Sequence, residues 1–581
     1  MEVAVRLHQS GNLQQAESIY RQILAVQADH ADALQFLGML LHQLGRTADA
    51  WEFVNRAVAA SPSNPRFLCN AAAVLRSTGR LDEAISYCHR AIELSPQYAE
   101  AHGNLADALA AAGRLDEAVA SYHRAIELRP NWAQMHHHLG VVLKARGEFD
   151  KAEACYRQAV AVEPNLAEAW NDLGTRLRER GRFDDAISCC RRALSCRQDF
   201  SDALNNLGAA LLDNGDPHEA AGCFRRVLAA KPNDPQIHHN LASALRETGE
   251  LPAAAAAARA ALKLRPGWEE ARFNLASIQL LSGDLIAGWR DCEARWERRA
   301  ARKDGCDGPP WDDSELAGRR ILLRAEHGFG DNIQFIRYAP LVAAKGAQVV
   351  ILCHPSLCRL FACLGMKEVA GNDQALPPFD AHCSVMSLPR IFGTTLETIP
   401  ANVPYLKADP NLIDRWRGKL ASHPVGLKVG LAWAGSPEFR EDRFRSPHLP
   451  AMAPLGGIAE VQFYSLQKGY AAAEARQPPA GFDLIDWTDE IEDFADTAAL
   501  VENLDLVISS DTAVVHLAGA MGKPVWVLLP FAPGVFWMLG RSDSPWYPTM
   551  RLFRQPQPKD WQSVIVQVAE ELRKLAVRRL G

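Results

Sequence analysis

Two stretches of this chain carry residue types at spacings that suit anion chemistry. From Asp505 to Pro530 it reads D-L-V-I-S-S-D-T-A-V-V-H-L-A-G-A-M-G-K-P-V-W-V-L-L-P. Leu506 to Ile508 is a short β-branched apolar run, the mark of a buried parallel strand. Asp511 or Thr512 then offers a side-chain oxygen as an N-cap, Ala513 to Met521 is a helical run, and Gly522 stops it before a second strand, Pro524 to Leu529. The N–H groups of Thr512, Ala513 and Val514 would face the carboxyl edge of a parallel sheet, where a diphosphate is well held. An ordinary capped strand–helix–strand unit has the same pattern. The second stretch opens at Lys428 with K-V-G-L-A-W-A-G-S and continues to Arg440, Asp442, Arg443, Arg445 and Ser446. Small residues such as Gly435 and Ser436 let a diphosphate approach the backbone, and arginines neutralise it in bidentate fashion. Lys468, at the end of F-Y-S-L-Q-K-G, is a further cation of this kind.

The elements that position these residues follow an α/β pattern. Arg319 to Ala325 is predicted as a strand, Glu326 to Asp331 as the loop after it, Asn332 to Ala344 as a helix, and Gln348 to Leu352 as the next strand. Two glycines flank this loop's aromatic residue, but the G-x-G-x-x-G spacing is absent. Asp331 also suits a helix N-cap. Asp493 to Leu500 reads as the helix before the anion-binding unit. Trp537, Arg541, Trp546 and Tyr547 could form either a stacking wall for a base or sugar or an apolar clasp.

The first half of the chain repeats itself every 34 residues. Glycine recurs at 11, 45, 79, 113, 147, 181, 215, 249 and 283, where a helix–turn–helix needs a permissive turn. Alanine keeps the same phase at Ala16, Ala50, Ala84, Ala118, Ala152, Ala186, Ala220 and Ala254, where paired helices approach closely. Pro62, Pro96, Pro130, Pro164, Pro232 and Pro266 close most repeats. This is the tetratricopeptide repeat signature, eight times over with a fading ninth. Such arrays form a superhelix whose first helices line a concave groove. Asn70, Asn104, Asn206, Asn240 and Asn274 share one groove phase, with His138 and Asp172 completing the series. An asparagine amide can both donate to a peptide and accept from it, so the ladder suits an extended polypeptide. The ladder resembles that in the repeat domain of the O-linked N-acetylglucosamine transferases; asparagine here could equally serve solubility. His136-His137-His138 points in several directions from one helix and reads as a solvated face, not a metal site.

Composition removes several classes. The 581 residues leave room for several domains, and a net charge of −6 provides no basic field for nucleic acid. No apolar run reaches the ~20 residues of a membrane span. Thirteen scattered cysteines fit neither a disulfide framework nor a zinc site, which favours a cytoplasmic setting. Asp312-Asp313 sits in a connector with no third ligand and reads as a solvated turn.

D-T-A-x-x-H-L-A-x-A-x-G-x-P-V, from Asp511 onward, resembles the donor-site signature of the heptosyltransferase-like glycosyltransferases of GT-B fold. That resemblance implies that the segment holds the diphosphate of a nucleotide sugar and that His516 is the family's histidine. The loop ending at Asp331 is similar to the Gly-Asp motif of the same family, where the aspartate is the proposed base. The chain departs from the family in carrying Gly435-Ser436 and arginines where hydroxyl residues and a lysine are usual. The expected fold class is α + α/β, a tetratricopeptide α-superhelix followed by a compact GT-B-like pair of Rossmann-like lobes. The expected domains are 1–296 for the repeats, 297–318 for a linker, 319–408 for an acceptor-side lobe and 409–581 for a nucleotide-sugar-side lobe. The implied activity is inverting, metal-independent transfer of a sugar to a hydroxyl of a protein or glycan that the repeats recruit. Asp331 would be catalytic, and Ser436, Arg443, Lys468, Asp511, Thr512, Ala513 and His516 would bind the donor. The nucleotide sugar enters as substrate, with no cofactor and no nucleic acid partner. A non-catalytic scaffold with a degenerate nucleotide-binding domain is the alternative, and an epimerase acting on nucleotide sugars could use the same helix terminus.

Overall fold

The computed structural model describes residues 1–295, 308–311, 314–376, 378–423, 426–438 and 442–580. Asp312, Asp313 and Arg440, each singled out from the sequence, lie outside them, as does most of the expected linker. Two compact units divide the chain, Met1–Asn214 and Gly215–Gly581. The division falls inside the repeats, so the helices from Pro217–Ala230 to Leu285–Cys292 belong with the sheets that follow.

The first unit is built of helix pairs. Ala31–Gln43 and Thr47–Ala60 form one such pair, and the turn between them holds Gly45 at φ 76°. That left-handed conformation costs glycine nothing and strains other residues, which explains the 34-residue glycine series. The alanine series packs where second helices meet their partners: Ala16, Ala50, Ala84, Ala118, Ala152 and Ala186 have no exposed surface. Gly38 faces Val54 so closely that a side-chain carbon there would collide with it. The prolines come just after second-helix ends, Pro62 following Ser61 and Pro96 following Ser95, where no further helical N–H is needed.

The second unit opens with the remaining pairs, in which Ala220 and Ala254 are again wholly buried. The fading ninth repeat ends in the helix Leu285–Cys292, capped by Asp284. Two all-parallel sheets follow. The first consists of β1 (Arg320–Arg324), β2 (Gln348–Cys353), β3 (Glu368–Gly371) and β4 (Ala381–Ser384), in the order β3-β2-β1-β4. The second holds β5 (Leu427–Ala432), β6 (Val461–Ser465), β7 (Leu484–Ile485), β8 (Leu506–Ser510), β9 (Val525–Leu529) and β10 (Met550–Arg554). Its order, β10-β9-β8-β5-β6-β7, reverses direction between β5 and β8, whose register pairs Ala432 with Ser509. In doubly wound sheets, ligands bind beyond the strand ends at such a reversal. Asp511 and Gly435 both lie there.

One apolar core runs from the last repeat helices through both sheets, taking in Leu280, Trp289, Phe335, Ile351, Val507 and Trp546. The helix predicted over Asn332 to Ala344 is broken in three: Phe329–Phe335, a tight turn at Ile336–Tyr338, and Ala339–Ala344. Pro340 supplies no N–H to a continuous helix, so a break precedes it.

Candidate functional site

Asp331 is not an N-cap. Gly328 caps the Phe329–Phe335 helix and Asp331 sits at its third position, with the Gly328 N–H donating back to its carboxylate. This is the acidic half of a capping box. Thr512 does occupy the N-cap of the Ala513–Ala520 helix, but its side chain makes no capping bond; its hydroxyl instead meets that of Ser509 at 3.0 Å. The first turn of that helix therefore offers its N–H groups to whatever enters.

These two helix starts meet at Gly330, which lies against His516 and the backbone of Ala513. Asp331 and Asp511 face the same space. Burial pushes the Asp331 carboxyl up to about 7, and the charge of Asp511 adds to the rise while Arg445 opposes it. Burial also raises Asp511, against Arg445 and a hydrogen bond from the Trp537 indole. Burial thus disfavours the ionised form of both carboxyls, and the Arg445 charge opposes it at each.

Arg445 is the cation that the second sheet turns to this space. Its Nε donates to Asp442 at 3.2 Å, and the same Asp442 oxygen accepts the Gly435 N–H at 3.1 Å and the Ser446 hydroxyl at 2.8 Å. A side-chain carbon on Gly435 would displace the ends of both Asp442 and Arg445 from this arrangement. Ser436 follows on this loop, half-buried, its hydroxyl accepting the Glu438 N–H. Arg443, the arginine expected to bind the donor, is exposed with its guanidinium 4.6 Å from the Phe444 ring centroid. Lys468 is exposed as well, and its ammonium donates to the Thr488 and Ile491 carbonyls at 2.7 and 2.9 Å. So the structure gathers Asp331, Asp511, Thr512, Ala513 and His516 at one place and commits Lys468 to its own backbone.

Sequence reasoning passed over two supports of this site, Arg337 and Arg295, and named a third, Tyr547, without its partner. Arg337, in the break after the Asp331 helix, is buried and donates to the Trp546 carbonyl at 2.7 Å and to Tyr405 at 3.1 Å. Tyr547 places its hydroxyl 3.1 Å from His516 Nδ1. Arg295 donates twice to Glu326, at 3.0 and 2.9 Å, and to Ser387 at 2.8 Å; Ser384 also bonds Glu326. That pair ties the end of the repeats to the Asp331 loop. An arginine between Ile336 and Tyr338 was the one visible signal, since a charge in an apolar run is seldom idle. Trp537, Trp546 and Tyr547 are buried, a clasp and not a solvent-facing wall. His327, in the same loop as Asp331, is exposed and held at φ 62°.

The asparagines of the groove phase bond within the repeats. In the first unit Asn104 Nδ2 donates to the Cys69 carbonyl at 3.1 Å, and Asn206 Nδ2 to Asn171 and Thr175 at 2.9 and 3.0 Å. Asn70 is half-buried on the helix Pro65–Ser77. In the second unit Asn274 donates to Ser243 and accepts from Arg246, and Asn240 accepts from Gln236. His136, His137 and His138 bond to the Pro130 carbonyl, Asp172 and Asp107 respectively, three separate partners. Among the described residues no cluster of three or more metal-ligating side chains occurs, and no helix is long and apolar enough to cross a membrane.

The repeats define the class: this is a tetratricopeptide-repeat protein, and such arrays are protein-interaction scaffolds. A tetratricopeptide repeat model matches residues 4–65, and the model of the cilia and flagella-associated protein 70 C-terminal domain matches residues 55–276. Among curated proteins the chain is similar to Protein FlbA of Caulobacter vibrioides, 27% identical over 323 residues, 50% of this chain and 52% of that one. The chain thus spans about half the length of that relative. Similar solved structures include TTC0263, a thermophilic tetratricopeptide protein of Thermus thermophilus. It is 27% identical over 31% of this chain and 99% of that one, with a TM-score of 0.29. The Cut9 and Hcn1 hetero-tetramer of the APC/C is 19% identical over 46% of this chain and 52% of that one, with a TM-score of 0.38.

Proposed function

We propose that the sheet-bearing part of this chain is a glycosyltransferase of GT-B type that uses a nucleoside-diphosphate sugar. The observation that carries the reading is the meeting of Asp331, its carboxyl pushed up to about 7, with the uncapped start of the Ala513–Ala520 helix. A general base works best with a pKa near the operating pH. Asp331 takes the proton of the acceptor hydroxyl as that oxygen bonds to the anomeric carbon. The bond from that carbon to the diphosphate breaks, and the diphosphate leaves with the electron pair. The N–H groups of Ala513 and Val514 and the Arg445 guanidinium meet the charge that develops on it. The repeats bring the acceptor, a protein or a glycan.

Lys468 favours a second reading, because its commitment to two carbonyls removes one expected donor cation. In that reading the domain is a degenerate nucleotide-binding module on an interaction scaffold. Turnover of a panel of nucleotide sugars separates the two: release of free sugar or transfer to an acceptor supports the enzyme, and no turnover with any acceptor supports the scaffold. Calorimetry locates the site. Ala513→Asp sets a carboxylate against the phosphates and should abolish most of the nucleoside-diphosphate affinity; unchanged affinity would move the site elsewhere.

A further inference from the structure

His516 is buried among groups that fix its ring. The Trp537 indole is stacked on it, with centroids 5.4 Å apart and planes 28° from parallel. Nδ1 meets the Tyr547 hydroxyl at 3.1 Å, and Nε2 points towards Asp511, 3.9 Å away. The Asp331 loop approaches the Cδ2–Nε2 edge at Gly330. Burial, helped by the charge of Arg337, pulls the imidazole down to about 3, so the ring is neutral at working pH. A neutral imidazole has one donor nitrogen and one acceptor, and the partner of one nitrogen decides the role of the other.

The hydroxyls around Arg337 settle which is which. Tyr405 gives its proton to the Ile333 carbonyl at 2.9 Å and accepts from Arg337 at 3.1 Å. Tyr547 also accepts from Arg337. Its own proton can go to His516 Nδ1 at 3.1 Å or to the Tyr405 oxygen at 3.4 Å. The imidazole nitrogen is closer and more basic, while the Tyr405 oxygen already accepts from a cation. The proton therefore belongs between Tyr547 and Nδ1, and the ring proton belongs on Nε2.

We propose that Arg337 and Tyr547 are positioning residues that hold His516 as its neutral Nε2–H tautomer, making it a hydrogen-bond donor to an anion bound at the start of the Ala513–Ala520 helix. The proposal rests on the anion-site reading above. It gives Asp331 and His516 separate duties: Asp331 accepts a proton, and His516 donates a hydrogen bond without giving one up. It also gives Arg337 a function from inside the core, since orienting the two phenols needs its charge but no contact with substrate.

Nitrogen NMR of the full chain, labelled with ¹⁵N at histidine, reads the ring proton directly, with His516→Gln assigning the signal. The wild type should show a protonated Nε2 and an unprotonated Nδ1 that do not titrate between about pH 5 and pH 8. Tyr547→Phe removes the proton held against Nδ1 while leaving the ring volume, and should shift both nitrogens towards the opposite tautomer or a mixture. Arg337→Lys, which retains the charge, should preserve the wild-type pattern more closely than Tyr547→Phe. A proton on Nδ1 in the wild type, or an unchanged tautomer in a folded Tyr547→Phe protein, would overturn the proposal. Inorganic pyrophosphate is the probe for the second half. Movement of the Nε2 signal on its addition supports donation to the anion. The expected tautomer with no response to pyrophosphate would uphold the proton placement and overturn the anion site on which it rests.

Discussion

Gly330 lies against the edge of His516, so that a side-chain carbon at position 330 would stand 2.8 Å from His516 Cδ2 and 3.6 Å from the Ala513 Cα. Two helices that begin at the carboxyl edges of two different sheets can touch only because one of them carries no side chain there. Since Trp537 backs the His516 ring, the ring cannot swing away. Gly330→Ala should destabilise the fold by about 1–3 kcal/mol and weaken nucleoside-diphosphate binding with it. Thermal unfolding and calorimetry of the same preparation test both. A variant with wild-type stability and affinity would show that the two helix starts need not meet.

Arg295 and Glu326 are both buried, and the pair links the last described residues of the repeat region to the loop that carries Asp331. Removing one partner of a buried ion pair strands the other charge, at a cost of about 3–5 kcal/mol. Arg295→Met should therefore lose that much in denaturant unfolding, whereas Arg295→Met combined with Glu326→Gln should recover part of it. Additive losses in the double variant would mean that the two residues act independently. The repeats and the site would then lack this mechanical link.

Much of this architecture was legible in the sequence. The glycine phase marked turns that require a left-handed backbone, and the alanine phase marked contacts too close for larger residues. Both constraints are local and recur, so single residue types reveal them. The strands were equally visible: Leu506–Ser510 and Val525–Leu529 fall within a residue or two of the apolar runs. The choice of cation was not. Arg443 and Arg445 are two residues apart in one short helix, and only the fold decides that Arg445 is the one whose charge reaches Asp331 and Asp511. Lys468 looked free because its carbonyl partners, Thr488 and Ile491, are about twenty residues away. Arg337 could not be placed, since its partner Trp546 lies 209 residues further on.

Asn274 is buried and bonded at both ends of its amide, to Ser243 and Arg246 of the preceding repeat. That arrangement assigns the asparagine a stacking duty in addition to any contact with a peptide. Asn274→Ala should cost about 1–3 kcal/mol of stability even without a bound polypeptide. An unchanged unfolding midpoint, together with lost binding of protein acceptors, would reverse that assignment and make the residue a recognition element alone.

The central claim is that Asp331 is the base of a sugar transfer, and the pH profile of turnover tests it most directly. Its carboxyl, ordinarily near 3.8 and pushed up to about 7 in the fold, works only when ionised. The rate should therefore rise as pH passes upward through about 7 and level off above it. Ionisation is disfavoured in the folded state, so Asp331 should also lower stability progressively from about pH 4 to about pH 7, a loss that Asp331→Asn removes. Asp331→Asn should reduce turnover of the nucleotide sugar by about a hundred- to ten-thousand-fold, abolish the limb near pH 7, and leave nucleoside-diphosphate affinity intact. Transfer at the wild-type rate by Asp331→Asn, with the same pH profile, would contradict the account.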